Sequence, residues 1–275
     1  MSAAQLRFIE ATAGSEPRGA LIDLCEGALD GVIVRGALPQ EAMAAAAARA
    51  ESRTDGPTLS FSKESPVNIY GALLHEADAS QAGYLDAVAP ARELLRSVFA
   101  PVDVDAELMA LLGRLAGSRK VRNAQSATGR PYGTGTLRCI EVGGFLPVHV
   151  ENLELSRPGY AGIRDEIAST LLSMYLMVQP ADEGGELAIH PVRVDASKRY
   201  EMSGGGLAGE SARELQALLE TTSPDSPPLR AGDVIVFNAG QWFHEVGRVG
   251  GHRRRWTYGG FLALSARDGA FMVWS

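Results

Sequence analysis

Residues 143–152 read Gly-Gly-Phe-Leu-Pro-Val-His-Val-Glu-Asn, a glycine turn followed by a short apolar run with one histidine and one carboxylate. We predict a strand over Val148–Glu151, because residues i and i+2 of a strand project to the same face. His149 and Glu151 would then face one metal ion from adjacent pleats, and His244 would reach it from a distant strand. Two imidazoles and a carboxylate on one side of an octahedral ion leave three positions open to other molecules.

The second half of the sequence is divided into short segments by glycine and proline, with no long helices between them. Short segments divided by turn residues are typical of an antiparallel sandwich or jelly roll. The predicted fold class is mainly β with α: a double-stranded β-helix (jelly roll) core supported by N-terminal helices. The predicted strands are Thr136–Val142, Val148–Glu151, Leu171–Gln179, Glu186–His190, Asp233–Asn238, Trp242–Val246, Trp256–Leu264 and Phe271–Trp274.

The first half repeats apolar residues at three and four positions, which is typical of helices packed by one face. We interpret residues 1–275 as a single domain, with 1–130 as mainly helical support and 131–275 as the jelly-roll core. The support contains one early strand, at 31–35. The predicted helices are Ala20–Ala28, Pro39–Ala50, Leu85–Phe99 and Asp105–Leu115.

One insertion interrupts the strands of the second half, from Ser197 to Arg230. It contains a glycine run at 203–206, a predicted helix over Glu210–Glu220 and a proline-rich loop at 223–228. Connections of this length are either lids over a site or disordered surface. Both interpretations stay open at the level of the sequence.

The composition of the chain favours a small molecule as its binding partner. A formal net charge of -7 argues against a nucleic-acid surface, since phosphate binding needs clustered lysine and arginine. We find no segment apolar enough to span a bilayer and no signal peptide, so no membrane partner is expected. The two cysteines, Cys25 and Cys139, are too few for a disulfide framework, and reduced thiols favour a cytoplasmic protein.

Five short segments occur in the order seen in the Fe(II)/2-oxoglutarate-dependent dioxygenases, and the C-terminal half of the chain resembles that family. The resemblance implies that His149, Glu151 and His244 hold Fe(II), with 2-oxoglutarate as co-substrate and dioxygen as oxidant. The five segments are 143–152, Gly-Gly-Glu-Leu at 184–187, Gly-Asp-Val-Ile-Val-Phe-Asn at 232–238, Trp-Phe-His-Glu-Val at 242–246 and Arg-Trp-Thr at 255–257.

The resemblance also implies an arginine that binds the far carboxylate of 2-oxoglutarate, on the strand after His244. Strand alternation places Arg253, Arg255 and Thr257 on one face. Arg255 with Thr257 is similar to the family's Arg-x-Ser pairing, so Arg255 is the expected anchor and Arg253 the alternative. Tyr175, in a neighbouring predicted strand, is a candidate donor to 2-oxoglutarate or a core aromatic.

Three further residues are candidate substrate contacts. Arg138 lies on the strand that leads to the ligands, where it would pair with a substrate carboxylate or form an ion pair at the strand end. Asn152 and Trp242 lie beside or near the ligands in sequence, so we expect them to line the substrate pocket.

By resemblance, the expected reaction is hydroxylation of an unactivated C–H bond in a small molecule, an amino acid derivative or natural-product intermediate. In the related halogenases a small residue replaces the carboxylate ligand and leaves space for chloride, so Glu151 favours hydroxylation. Desaturation, cyclisation and epimerisation use the same iron site and stay open. A zinc-dependent cupin-like hydrolase would use the same three ligand types, and a non-catalytic jelly-roll binding protein is a further alternative. The Arg255–Thr257 pair favours the oxygenase.

Overall fold

The computed structural model describes residues 5–60, 65–195, 201–203 and 206–275. These residues form a mainly β structure with several helices. The elements, in chain order, are β1 (Phe8–Thr12), α1 (Ala20–Cys25), β2 (Gly31–Arg35), α2 (Gln40–Glu51), β3 (Leu59–Ser60), β4 (Val67–Tyr70), α3 (Ala82–Phe99), α4 (Val104–Ala116), β5 (Val121–Asn123), β6 (Thr136–Ile140), β7 (Leu146–His149), β8 (Leu172–Gln179), β9 (Glu183–Gly184), β10 (Leu187–Arg193), β11 (Glu201–Ser203), β12 (Gly206–Ala208), α5 (Gly209–Leu219), β13 (Val234–Phe237), β14 (Trp242–Val246), β15 (Val249–Gly250), β16 (Arg255–Leu264) and β17 (Phe271–Trp274).

A large sheet and a small sheet carry most of the strands. The large sheet has the order β1-β2-β13-β8-β16-β6-β4-β3, and β17 joins β5 to β16. Its pairings are antiparallel except for β1 with β2 and β5 with β17. The small sheet has the order β10-β14-β7 and is antiparallel throughout.

The apolar strands of the large sheet are buried on both faces. In β13, Val234 and Val236 pack in the same cluster as helices α1 to α4, whereas Ile235 and Phe237 pack against the small sheet. Successive side chains of a strand point to opposite faces, so one unbroken apolar run serves two interfaces. The large sheet therefore lies between a helical layer and the small sheet.

The helices α1 to α4 overlap the four predicted helices and bury one face against the large sheet. Leu24, Met43, Leu95 and Leu112 are among their buried residues, and each fully buried side chain of this kind contributes roughly 1.5–3 kcal/mol. None of the described helices has the length and hydropathy that a membrane span requires.

The prediction of a helical N-terminal half with a single strand was too simple. This half contributes β1 to β5, all of which join the large sheet. These strands are two to five residues long. Segments this short carry little periodic signal, and pairing with distant strands decides their conformation.

The insertion at Ser197–Arg230 contains ordered elements in its described part. A hairpin of β11 and β12 precedes α5, which overlaps the predicted helix. The predicted glycine run lies partly outside the described residues, as do the first residues of the insertion. Leu215 and Leu219 of α5 are buried in a cluster with Val150 and Phe243. The α5 part of the insertion is therefore packed helix, not disordered surface.

Candidate metal centre

His149, Glu151 and His244 converge on one point between the two sheets. His149 lies directly opposite His244 in the β7–β14 pairing, and their ring centroids are 4.2 Å apart. The Nε2 atoms of His149 and His244 lie 3.6 Å and 3.7 Å from Oε1 of Glu151. All three ligand atoms lie within 4.8 Å of one another, and across the described residues this is the group of three that could hold a metal ion.

Backbone carbonyls set the tautomer of both histidines. Nδ1 of His149 lies 2.7 Å from the carbonyl oxygen of Pro147, and Nδ1 of His244 lies 2.9 Å from that of Trp242. A carbonyl oxygen only accepts hydrogen bonds, so each Nδ1 must carry the proton and donate it. In the neutral ring this leaves the lone pair on Nε2, which is the state in which histidine binds a metal ion.

Glu151 is not part of the strand, which corrects the predicted strand Val148–Glu151. Strand β7 ends at His149, and Glu151 begins a short 3-10 helix, Glu151–Ser156. Val150 between them keeps an extended backbone with φ -147° and ψ 133°, so the two ligand side chains still share a face. The Glu151 N–H donates to the carbonyl of Ala239 at 2.9 Å, which ties this turn to the loop before β14.

The three ligands are electrostatically coupled. Burial acts to raise the pKa of Glu151, but hydrogen bonding and charge interaction with His149 and His244 outweigh it and hold the pKa well below its usual range. Burial acts to lower the pKa of His149, yet interaction with Glu151 raises it overall. Burial and the neighbouring His149 lower the pKa of His244. Glu151 is therefore an ionised carboxylate, which is the form that binds a cation.

The ligands line a cavity between the sheets that opens to solvent. Its polar lining includes Arg138, Tyr175, Arg255 and Thr257, all of which the sequence singled out. Its apolar lining includes Leu73, Leu146, Leu187, Phe237, Val246 and Phe261. None of these apolar residues carries a sequence signal that distinguishes a cavity wall from ordinary core. Leu73 comes from the N-terminal half, so that half contributes to the wall as well as to support.

Arg255 is a buried cation without a hydrogen-bond partner at two of its nitrogens. The side chain is 2% exposed, and neither Nε nor Nη2 makes a hydrogen bond. The hydroxyl of Tyr175 is also buried and unpaired, and the Arg255 guanidinium lies 5.3 Å from the centre of its ring. Leaving such a charge unpaired costs several kcal/mol. The arrangement around Arg255, Tyr175 and the neighbouring Thr257 therefore fits a carboxylate.

Arg253 does not share this face, which corrects the alternation assumed from the sequence. It precedes β16, is half exposed, and its Nη2 forms an ion pair with Asp182 at 2.9 Å. Strand β16 begins only at Arg255, and side chains alternate regularly only within a strand. Arg253 therefore lies outside the cavity lining.

Asn152 and Trp242 also lie outside the cavity lining, so their predicted substrate contacts are not supported. Oδ1 of Asn152 accepts a hydrogen bond from the N–H of Leu171 at 3.0 Å. Trp242 is 3% exposed in the layer between the sheets, and its Nε1 donates to Asp30 at 3.0 Å. Both polar groups are engaged in structural contacts that hold the segments beside the ligands.

The Asn152 contact predicts a strong steric effect at Gly240. A Cβ there would lie 2.2 Å from Oδ1 of Asn152 and 2.3 Å from Oγ1 of Thr170. We expect Gly240→Ala to lower the free energy of unfolding by about 1–3 kcal/mol, since overpacking forces neighbours to shift. Urea denaturation measures this. In helix α4, a Cβ at Gly113 meets nothing within 4 Å, so Gly113→Ala should be neutral or stabilising; equal losses in both variants would refute the steric argument.

Comparisons with known proteins show the fold and then the family. Two structures of similar fold are of an N-substituted L-amino acid dioxygenase from Burkholderia ambifaria AMMD. The first has a TM-score of 0.57 at 13% identity and covers 95% of this chain and 92% of that chain. The second, in complex with alpha-KG, has a TM-score of 0.52 at 15% identity, with 93% and 90% covered. At these identities the likeness is one of fold.

A family model shows the relationship by sequence. The model of the carrier-protein-independent halogenase WelO5 matches residues 6–275, and the chain belongs to this family. A sequence search of curated proteins finds no significant match. The resemblance to Fe(II)/2-oxoglutarate oxygenases, drawn from the ordered motifs, is confirmed.

Proposed function

We propose that this protein is an Fe(II)- and 2-oxoglutarate-dependent oxygenase that hydroxylates an unactivated C–H bond of a small molecule. The observation that carries the proposal is the convergence of two metal-binding Nε2 atoms and an ionised carboxylate oxygen in one cavity. Two imidazoles and a carboxylate form the ligand set of non-haem iron oxygenases. When bound, Fe(II) and 2-oxoglutarate supply an oxidation in which dioxygen is reduced, 2-oxoglutarate becomes succinate and carbon dioxide, and a C–H bond is hydroxylated.

The residues of the chain bind and orient the reactants. His149, Glu151 and His244 would hold the iron and leave three positions open. Arg255, with Thr257 and Tyr175, would hold the far carboxylate of 2-oxoglutarate by charge-assisted hydrogen bonds. The apolar wall excludes water and confines one C–H bond of the substrate near the metal.

The same proposal covers the architecture and setting of the protein. We interpret the large and small sheets as the two halves of a double-stranded β-helix within a single domain. The acidic net charge of -7 favours a small-molecule substrate over a nucleic acid, and an amino acid derivative or natural-product intermediate is the expected type. Both cysteines are free, which fits the reducing cytoplasm.

Halogenation is the second candidate reaction, because the matched family is described as a halogenase. Glu151 weighs against it, since a carboxylate ligand takes the metal position that a halide would need. As a hydroxylase, the chain would be a member of a halogenase family that keeps the carboxylate ligand. Desaturation, cyclisation and epimerisation use the same ligands and differ only in the fate of the oxidised substrate.

Anaerobic titration with Fe(II) and 2-oxoglutarate tests the proposed cofactors. We expect a visible charge-transfer band at one equivalent of Fe(II) and one of 2-oxoglutarate. In air, we expect some members of a panel of amino acids and their derivatives to stimulate succinate release. Mass spectrometry of the product, with and without added chloride, separates the reactions: hydroxylation adds one oxygen and no chlorine. Absence of the band, with zinc bound at equal stoichiometry, would favour the hydrolase and rule out the oxygenase.

A further inference from the structure

Arg138 is a second cation on the cavity face that carries Arg255. In the pairing of β6 with β16, Arg138 lies directly opposite Thr257, and residues directly opposite in an antiparallel pair project to the same face. Arg255 is two residues before Thr257 in β16 and shares that face. The three side chains line the same cavity and form one polar row across two strands.

The carboxylate that interacts with Arg138 is engaged elsewhere. Glu151 faces the two histidines. Across the described part of the chain, Arg138 forms no ion pair with a carboxylate. Burial lowers the pKa of Arg138, interaction with Glu151 opposes this, and Arg255 lowers it further. Arg138 therefore lines the cavity without a carboxylate of its own.

The net charge of the site loaded with iron and 2-oxoglutarate shows that Arg138 lacks a balancing anion. Iron(II), ionised Glu151, doubly charged 2-oxoglutarate and Arg255 together are neutral, and the histidines are uncharged. Arg138 adds one positive charge to this neutral set. Arg138 is partly buried, and a partly buried cation is stabilised when an anion accompanies it, so one further negative group would balance the charge of the loaded site.

We propose that Arg138 binds a carboxylate of the substrate, so that the protein acts on carboxylic acids and not on uncharged molecules. This inference rests on the proposed function. Arg138 lines the same cavity as His149 and Glu151, so a carboxylate bound to it shares that cavity with the metal ligands. Phe261, on the same face of β16, and Leu146 offer apolar surface to the remainder of the substrate.

Matched acids and esters test this proposal by binding. The probes are 4-methylpentanoate, 3-phenylpropanoate and N-acetyl-L-leucine, each with its methyl ester, added anaerobically to the protein loaded with Fe(II) and 2-oxoglutarate. Binding is followed by thermal shift and by perturbation of the charge-transfer band. We expect at least one acid to bind about tenfold or more tightly than its ester, the difference that one charge-assisted contact makes.

Variants of Arg138 test whether this residue causes the preference for acids over esters. Arg138→Gln should reduce acid binding to the level of the ester and leave the 2-oxoglutarate half-saturation of the band within about twofold. Arg138→Lys, which keeps the charge, should retain part of the preference even if the glutamine variant folds poorly. Arg254→Gln is the control, because Arg254 pairs with Glu141 outside the cavity lining, and it should change neither quantity.

The outcomes distinguish a failure of the carboxylate proposal from a failure of the proposed function. Equal binding of acids and esters, or binding of neither, overturns the carboxylate proposal. A rise in 2-oxoglutarate half-saturation in Arg138→Gln comparable to that of an Arg255 variant assigns Arg138 to the co-substrate and also overturns it. Absence of the charge-transfer band in the wild-type protein instead overturns the proposed function.

A separate observation concerns the face of the small sheet opposite the cavity. Val150, between the ligands His149 and Glu151, and Phe243, next to His244, are fully buried in a cluster with Leu215 and Leu219 of α5. Neighbours in an extended segment point to opposite faces. Helix α5 therefore packs behind the ligand-bearing strands and not over the cavity.

We infer that α5 braces the metal ligands from behind, as a positioning element for the metal centre. The described α5 part of the insertion is thus placed to set the spacing of the ligands, whereas a lid would contact the cavity mouth. Leu215→Ala and Leu219→Ala should weaken retention of Co(II), measured by competition with a chelator, by about tenfold, the lower end of the effects of support residues on metal sites.

The exposed neighbour Leu218, 48% exposed, supplies the matched control. Leu218→Ala should leave Co(II) retention unchanged. If Leu215→Ala and Leu219→Ala lower the melting temperature but not Co(II) retention, α5 is only a stabilising element and the inference is wrong. If they instead raise the substrate KM with metal retention unchanged, α5 is a lid.

Discussion

Glu151→Ala is expected to lower product formation at least about a hundredfold, which corresponds to about 3 kcal/mol of transition-state stabilisation. The substitution removes the only anionic atom among the three converging ligands. The two histidines would then hold the metal weakly and with one more open position, so that any remaining 2-oxoglutarate turnover is uncoupled from substrate oxidation. Parallel measurement of succinate and oxidised product checks both effects.

Two further variants make the Glu151 result specific. Glu151→Asp keeps a carboxylate and should retain a measurable part of the activity. Glu154, one turn later in the same 3-10 helix, forms an ion pair with Arg157, so Glu154→Gln should stay within about threefold of wild type. Circular dichroism should show an intact fold in all three variants. Full succinate production coupled to product in Glu151→Ala would count against the metal site.

Arg255→Leu is expected to raise the 2-oxoglutarate half-saturation about tenfold to a hundredfold. A hydrogen bond to a charged group contributes about 1.5–3 kcal/mol, and each 1.4 kcal/mol is a factor of ten in affinity. The half-saturation is read from the charge-transfer band, independently of turnover. Arg255→Lys should show a smaller rise, because lysine keeps the charge but lacks the bidentate geometry.

Arg255→Leu should also leave the thermal stability of the protein without 2-oxoglutarate unchanged or raise it. The buried guanidinium has two nitrogens without partners, and replacing an uncompensated buried charge with leucine relieves its desolvation cost. The melting temperature without 2-oxoglutarate should therefore be unchanged or higher, while the increase caused by adding 2-oxoglutarate disappears. Arg253→Leu, at the surface ion pair with Asp182, is the matched control. An unchanged 2-oxoglutarate requirement in Arg255→Leu would place the anchor elsewhere.

Shared faces within one segment could be predicted from local geometry, whereas the convergence of distant segments was predicted only where the family resemblance supplied it, as for His244. His149 and Glu151 are two positions apart, so a common face follows from local geometry even though the strand ends at His149. Arg253 and Arg255 are also two positions apart, but β16 begins between them. The start of that strand depends on its pairing with β6 and β8, which adjacent residues do not encode.

The roles of Asn152 and Trp242 show the same limit. Closeness in sequence to a ligand predicted a place in the substrate pocket for both. The partners that engage them, Leu171 and Asp30, lie far away in the chain, and a hydrogen bond to a distant partner is visible only in the folded molecule.

The sequence by itself determined the ligand types, the candidate anchor Arg255, the order of the main strands and the positions of the helices. Each of these depends on residue chemistry or on a short-range period, which are local properties of the chain. Only the tertiary structure decided that Arg138 and Arg255 share one cavity, that Arg253 faces solvent, and that α5 lies behind the metal ligands. Those facts depend on which distant strands pair and in which register, because pairing sets the face toward which each side chain points.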